Sequence, residues 1–223
     1  MRRKSPHPGR AISRLSYTLP GFARSSTANS TVTDPQLLEL HREIDAARGA
    51  AVASADPRRH QTDFGRLDHG RPLAVVRARH EADVVAALSV ARARGLTVRV
   101  RGAGHSCHGQ SVSAGGILIA NDHRAAEPPR FTGGDGTVEV AGRAHWRSVE
   151  RFLNRAGRSV AVLPDYLDLS VGGTVSVGGY GIDSVRHGGQ VVHVDRLRLV
   201  APDGRAGWCS ASERPDLFGF ALA

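Results

Sequence analysis

Two glycine-rich stretches hold the side chains whose types and spacing could do chemistry. The first is Arg101-Gly102-Ala103-Gly104-His105-Ser106, running on through Cys107-His108-Gly109-Gln110. The second is Pro164-Asp165-Tyr166-Leu167-Asp168-Leu169-Ser170-Val171-Gly172-Gly173-Thr174-Val175-Ser176, followed by Gly178-Gly179-Tyr180-Gly181 and Arg186-His187-Gly188. Glycine has no Cβ, so the backbone in both can lie directly against a ligand. His105 offers a neutral imidazole nitrogen, a nucleophile near neutral pH. Asp165 offers a carboxylate that is ionised at that pH and can take a proton within one hydrogen bond's reach. Plainer roles exist for both: a histidine in a turn, and an aspartate capping the turn after Pro164.

The first stretch follows directly on a βαβ strand, Leu96–Val100. Backbone amides at a strand's carboxyl end can bind an anion such as pyrophosphate. It is not the dinucleotide fingerprint of a doubly wound sheet. The third glycine of that pattern would fall at 107, which is Cys107, and the loop continues through Gly109-Gln110 instead of entering a helix. His105, Cys107 and His108 lie close together, but a zinc site wants a second pair at matching spacing, and His123 and His145 do not supply it. No metal site is expected.

The elements that must position these residues are legible in outline. Thr33-Asp34-Pro35 opens a helix carrying Leu37, Leu38 and Ile44, with alanines to about Ala55, and Asp56-Pro57-Arg58-Arg59 stops it. Leu73–Val76 is an apolar run fit for a buried strand. His80-Glu81-Ala82-Asp83 begins a helix with Val84, Val85, Leu88 and Ala91 on one face, stopped by Gly95, and Leu96–Val100 is the next strand. Strand, helix and strand in this order make a βαβ unit with parallel strands. Ile117–Ala120 and Val138–Val140 follow as strands, with Gly133–Gly136 as a turn between them, and His145–Ala156 is an amphipathic helix. After the second glycine stretch, Val194–Val200 turns at Pro202-Asp203-Gly204 and returns through Trp208-Cys209 as a hairpin. The pattern predicts one α+β domain of two small layered lobes meeting at the glycine loops.

From about Gln61 to Ala223, these motifs resemble the FAD-binding domain of the vanillyl-alcohol oxidase and p-cresol methylhydroxylase (PCMH) flavoproteins. Within that superfamily they look most like the cytokinin dehydrogenases and their bacterial relatives. The resemblance implies a PCMH-type FAD-binding fold in which the histidine of Gly104-His105-Ser106 is bonded through a ring nitrogen to the flavin 8α carbon. It implies that Gly102, Ala103, Gly104, Ser106 and Gln110 bind the cofactor alongside His105. In the second stretch, Asp165, Ser170, Gly173, Ser176 and Tyr180 correspond to positions beside the flavin. The aspartate of Asp165-Tyr166-Leu167 matches the base that takes a proton from the substrate amine as hydride passes to flavin N5. Berberine-bridge-type relatives add a second flavin link from a cysteine. Neither Cys107 nor Cys209 fits that position, so a single covalent link is expected. The plant enzymes carry an aromatic ahead of the aspartate where this chain has Leu163-Pro164, which weakens the inference of their substrate. Oxidation of an alcohol or sugar, and an inactive FAD-binding remnant, are the alternatives.

Bulk properties narrow the rest. The net charge of +9 is concentrated, because residues 1–33 hold Arg2, Arg3, Lys4, Arg10, Arg14 and Arg24 and no acid. Residues 1–32 therefore read as a basic disordered leader, with no nucleic-acid partner implied for the nearly balanced remainder. Residues 33–60 read as a helix and linker, and 61–223 as the FAD-binding domain, incomplete at its C-terminal end and without a substrate domain. Nothing approaches a transmembrane span, and Ala11–Ala23 lacks the apolar centre of a secretory signal. The expected setting is cytoplasmic, with a small-molecule substrate and no membrane. Two cysteines do not suggest a disulfide framework, so both are expected reduced, Cys107 in a glycine loop and Cys209 in a strand.

Overall fold

The computed structural model describes residues 35–51, 53–54 and 60–222. The leader, the Thr33-Asp34 cap and the Asp56–Arg59 stop lie outside the described residues.

The first lobe is a sheet under two helices. Helix α1 spans Pro35–Arg48 and α2 spans Glu81–Ala93. The strands are β1 Ala53–Ser54, β2 Ala74–Ala78, β3 Val98–Arg101 and β4 Ile117–Asn121, in the order β1-β2-β4-β3. Strand β4 lies parallel to both neighbours, pairing Ala74 with Ile117 on one side and Val98 with Ile117 on the other. The βαβ unit thus has its two strands parallel, as its pattern predicts, but β4 enters between them. Leu40 and Ile44 of α1 meet Ala87, Val90 and Ala91 of α2 over Ala74, Val76, Ala78, Ile117 and Ile119. Val75 and Leu118, on the opposite face, are buried as well. That two-sided burial is why β2 and β4 read as continuous apolar runs instead of alternating ones.

Helix ends follow from local chemistry. Gly95, at φ +63°, ends α2, and the Leu96 amide reaches back to the Ala91 carbonyl at 2.8 Å. At the other end, buried Asp83 accepts from the Arg79 and His80 amides at 2.8 and 2.9 Å. It also pairs with Arg48 of α1. Burial pulls the Asp83 carboxyl upward, but these partners outweigh it and hold the group below its usual value. Helix α1 stops at Arg48 and not near Ala55, because Gly49 turns the chain at φ +70°. The alanines beyond it include strand β1, antiparallel to β2.

The second lobe gathers shorter pieces. Strands β5 Arg130–Phe131 and β6 Val138–Glu139 form a small hairpin around the glycine turn. Helix α3 covers Trp146–Asn154, α4 Val171–Val175 and α5 Ser184–His187. The hairpin of β7 Arg196–Val200 and β8 Ala206–Ser210 precedes α6 Pro215–Ala221. Trp146, Val149, Leu153 and Val175 form its core, and the Trp146 indole donates to Thr174 Oγ1 at 2.9 Å. The second glycine stretch is stitched to α3: the Trp146 and Arg147 amides donate to the Leu169 and Leu167 carbonyls at 3.1 and 2.8 Å. Two helix-end donors that would otherwise lack partners are thereby satisfied. Across the lobes, Arg198 of β7 forks onto Glu81 of α2 at 2.7 and 3.0 Å.

Candidate functional site

The two glycine stretches meet where the lobes touch. Strand β3 ends at Arg101 and delivers Gly102 to Ser106 to that seam. The Ala103 amide donates to Ser170 Oγ at 3.3 Å. A Cβ added at Gly102 would stand 2.1 Å from the same oxygen, so the approach requires glycine. Gly104 turns at φ +81°, and a Cβ there would collide with the Arg101 guanidinium at 2.6 Å. In the second stretch a Cβ at Gly181 would strike the Leu163 carbonyl at 1.8 Å.

Beneath the first loop, Arg101 donates to the Thr62 carbonyl at 2.9 Å. Burial pushes its guanidinium down, and the charge of Asp63 partly offsets this. Asp63 is itself buried and accepts from the Leu67 and Gly109 amides at 3.0 and 3.2 Å. Residues 61–70 are thereby fastened to the glycine loop, and the Phe64 amide donates to the Ser106 carbonyl at 2.9 Å.

His105 lies between two rings. Phe64 stacks on it at 4.6 Å and 22°, and Tyr166 leans on it at 4.9 Å and 41°. Its Nδ1 is buried with no hydrogen-bond partner among the described residues. An orphaned buried nitrogen costs free energy unless something completes it, and a bond from that nitrogen to a cofactor would do so. With glycines flanking it, the residues present fit a flavin.

The other expected contacts divide. Asp165 and Tyr166 are exposed at the rim of the same surface, and among the described residues neither hydrogen bond nor ion pair restrains the Asp165 carboxylate. Ser106 Oγ bonds Ser111 Oγ at 2.5 Å, and Gln110 Oε1 accepts from the His108 amide at 3.1 Å. Ser170 is buried and serves the seam between lobes, while Ser176 Oγ turns back to the Gly173 carbonyl at 3.1 Å. Tyr180 is 73% exposed. The buried Gln190 amide oxygen also lacks a partner, and a Cβ at Gly179 would stand 2.2 Å from it.

Several charged groups ring the site. Arg147 forks onto Asp168 at 2.6 and 3.0 Å. That guanidinium holds the Asp168 carboxyl below its ordinary value against burial, and the Tyr166 hydroxyl adds to the effect. His145 stacks on His123 at 4.2 Å, and burial, then the charge of His123, pushes the His145 imidazole down. Among the described residues no group of three His, Cys, Asp or Glu could hold a metal ion. Both cysteines are free, Cys107 in the loop and Cys209 buried in β8, where burial pushes its thiol up. Two cavities of about 530 and 380 Å³ lie away from the glycine loops, around Arg48 and Asp83 and between α1 and α2.

Phe64, Asp63 and the fork of Arg147 on Asp168 escape the sequence reading. Their partners are distant along the chain, and no local period marks them.

Comparison with known proteins agrees with this geometry. The family model described as FAD binding domain matches residues 72–210, which include both glycine stretches. Cytokinin dehydrogenase 5 of Oryza sativa subsp. japonica is 37% identical over 183 residues, covering 77% of this chain and 34% of that protein. An uncharacterized oxidoreductase of the fasciation locus in Rhodococcoides fascians is 38% identical over 156 residues, covering 70% and 35%. The chain thus spans about a third of the length of these curated relatives. Among solved structures, a carbohydrate oxidase from Microdochium nivale superposes with a TM-score of 0.69 at 25% identity, covering 81% of this chain and 40% of that one. A chitooligosaccharide oxidase gives 0.72 at 22%, covering 82% and 39%. The fold is therefore the α+β arrangement expected, and the chain belongs to the FAD binding domain family.

Proposed function

We propose that this chain is the FAD-binding portion of a cytokinin dehydrogenase-like oxidoreductase, with FAD bonded to a His105 ring nitrogen. The observation that carries the reading is the His105 Nδ1, buried, unpartnered and set among glycines at the lobe seam. When bound, the flavin would supply the hydride acceptor. The chain's own groups would do the remainder. The Gly102–Ser106 backbone would approach the cofactor, Asp165 would take the substrate's proton, and Gly173, Ser176 and Tyr180 would border the ring system. Two observations support a single link: Cys107 Sγ donates to the His105 carbonyl at 3.7 Å, and Cys209 is buried in β8. A single bond is therefore proposed.

Support for the amine substrate comes from the Asp165-Tyr166-Leu167 triplet and from the cytokinin dehydrogenases among the relatives. A second reading, an oxidase of sugars or alcohols, is favoured by the likeness to the carbohydrate oxidase. Fold alone does not choose a substrate.

Acid denaturation tests the anchor. Yellow colour should stay with the parent chain, and His105→Ala should release it. Free FAD in the parent's supernatant would count against the assignment. The substrate is tested on a chain completed with a relative's substrate domain, where isopentenyladenine should bleach the flavin and an oligosaccharide should not.

A further inference from the structure

Phe64 and Tyr166 cover the His105 imidazole, yet neither belongs to a hydrophobic core: they are 62% and 48% exposed. Single exposed aromatics are ordinary on a protein surface. Two of them on one imidazole, each brought from a different segment and each held from behind, form an organised arrangement. Phe64 is tied through its amide to the Ser106 carbonyl, one residue beyond His105. Tyr166 is held through its backbone, beside Asp168, onto which Arg147 forks. Arg147 also donates its amide to the Leu167 carbonyl at 2.8 Å, fixing the backbone beside Tyr166. If the stack served stability alone, the imidazole would profit most from hydrogen-bonding both nitrogens. Here Nδ1 is buried and left without a partner.

We propose that Phe64 and Tyr166 form an aromatic clamp that fixes the plane of His105 and aims its ring nitrogen for bonding to the flavin. The proposal rests on His105 as the anchor. Both aromatics are positioning residues, with the Arg147 amide on the Leu167 carbonyl holding the backbone of one jaw. The bond replaces one hydrogen on the imidazole nitrogen and one on the flavin C8α carbon. The two protons and two electrons released pass to an external two-electron acceptor such as dioxygen. An imidazole free to turn about its side-chain torsions would spend much of its time misaligned, and fixing it removes that cost from the barrier.

The test adds FAD to the apo 223-residue protein and follows acid-stable flavin over time in the parent, Phe64→Leu, Tyr166→Leu, Tyr166→Phe and His105→Ala. The two leucine variants should couple at least about tenfold more slowly, since small misplacements of a reacting group are that costly. Coupling is compared at saturating FAD in every variant, and a melting temperature within a few degrees of the parent's shows that the fold is intact. Tyr166→Phe keeps the ring and should stay near the parental rate. In the apo protein, the His105 Cε1 proton should lose ring-current shielding in Phe64→Leu, which reports the stack itself, while the coupling rate is the readout that a merely structural role would not move. Parental coupling rates in both leucine variants, or an unmoved His105 resonance, overturn the clamp while leaving the anchor standing. Acid-stable flavin missing from the parent, or persisting in His105→Ala, overturns the anchor and the clamp with it.

Discussion

Asp165 and Asp168 show how two carboxylates three positions apart can be assigned opposite tasks. Asp168 is committed to the Arg147 fork and held below its ordinary value, so it serves as a fixed negative charge. Asp165 carries no such partner and stands exposed one residue from the Tyr166 ring that leans on His105. A base must be free to accept a proton, and a carboxylate engaged by a guanidinium is not. In a chain completed with a substrate domain, Asp165→Asn should lower turnover by roughly 10²–10⁴-fold, the usual contribution of a positioned base, with flavin content unchanged. Flavin reduction by substrate at the parental rate in that variant would make Asp165 a turn residue and end the proposed mechanism.

At the scale of elements, the site depends on two lobes held in register by a contact that excludes a methyl group. The Ala103 amide bonds Ser170 Oγ, and the absent Cβ of Gly102 leaves room for that oxygen. Gly102→Ala should destabilise the domain by about 1–3 kcal/mol, as overpacking a close contact does. Ser170→Ala should cost about 1 kcal/mol through the lost hydrogen bond. Because Ser170→Ala also removes the obstructing oxygen, the double variant should lose less than the two costs added, by an amount denaturant melts can measure. Additive losses would show that the lobes meet by some other contact. The elements differ in how far the sequence betrays them. The apolar runs Leu73–Val76 and Ile117–Ala120, the stop at Gly95 and the turn at Pro202-Asp203-Gly204 each carry a local cause, and each appears within a residue or two of its expected place. Strands β1 and β5 have two residues each, too few to show any period, so they pass unseen. The entry of β4 between β2 and β3 is set by long-range pairing and leaves no trace in either run. The same holds at the site: His105 and Asp165 are visible through their motifs, whereas the ring that stacks on His105 is recruited from Phe64, a contact without any local pattern.

At the scale of the molecule, exposed apolar side chains gather beside the second glycine stretch. Val177, Tyr180, Ile182, Val185 and Val192 are each at least 66% exposed, all in the segment that carries the second stretch. Isolated exposed apolar side chains need no explanation, but a concentration beside a cofactor surface marks a contact site. We propose that this face meets a substrate domain that supplies the other wall of the pocket. Excluding water and holding an amine against the flavin is worth on the order of 7–11 kcal/mol in favourable cases, so one wall alone should remove turnover rather than trim it. The purified 223-residue protein, loaded with FAD, should therefore fail to oxidise isopentenyladenine with an artificial electron acceptor, and it should self-associate in light scattering through the apolar face. Replacing Val185, the most exposed of the five at 96%, by serine should reduce that association without changing flavin content. Robust turnover by the 223-residue protein would mean that these two lobes already enclose a working pocket without a further wall.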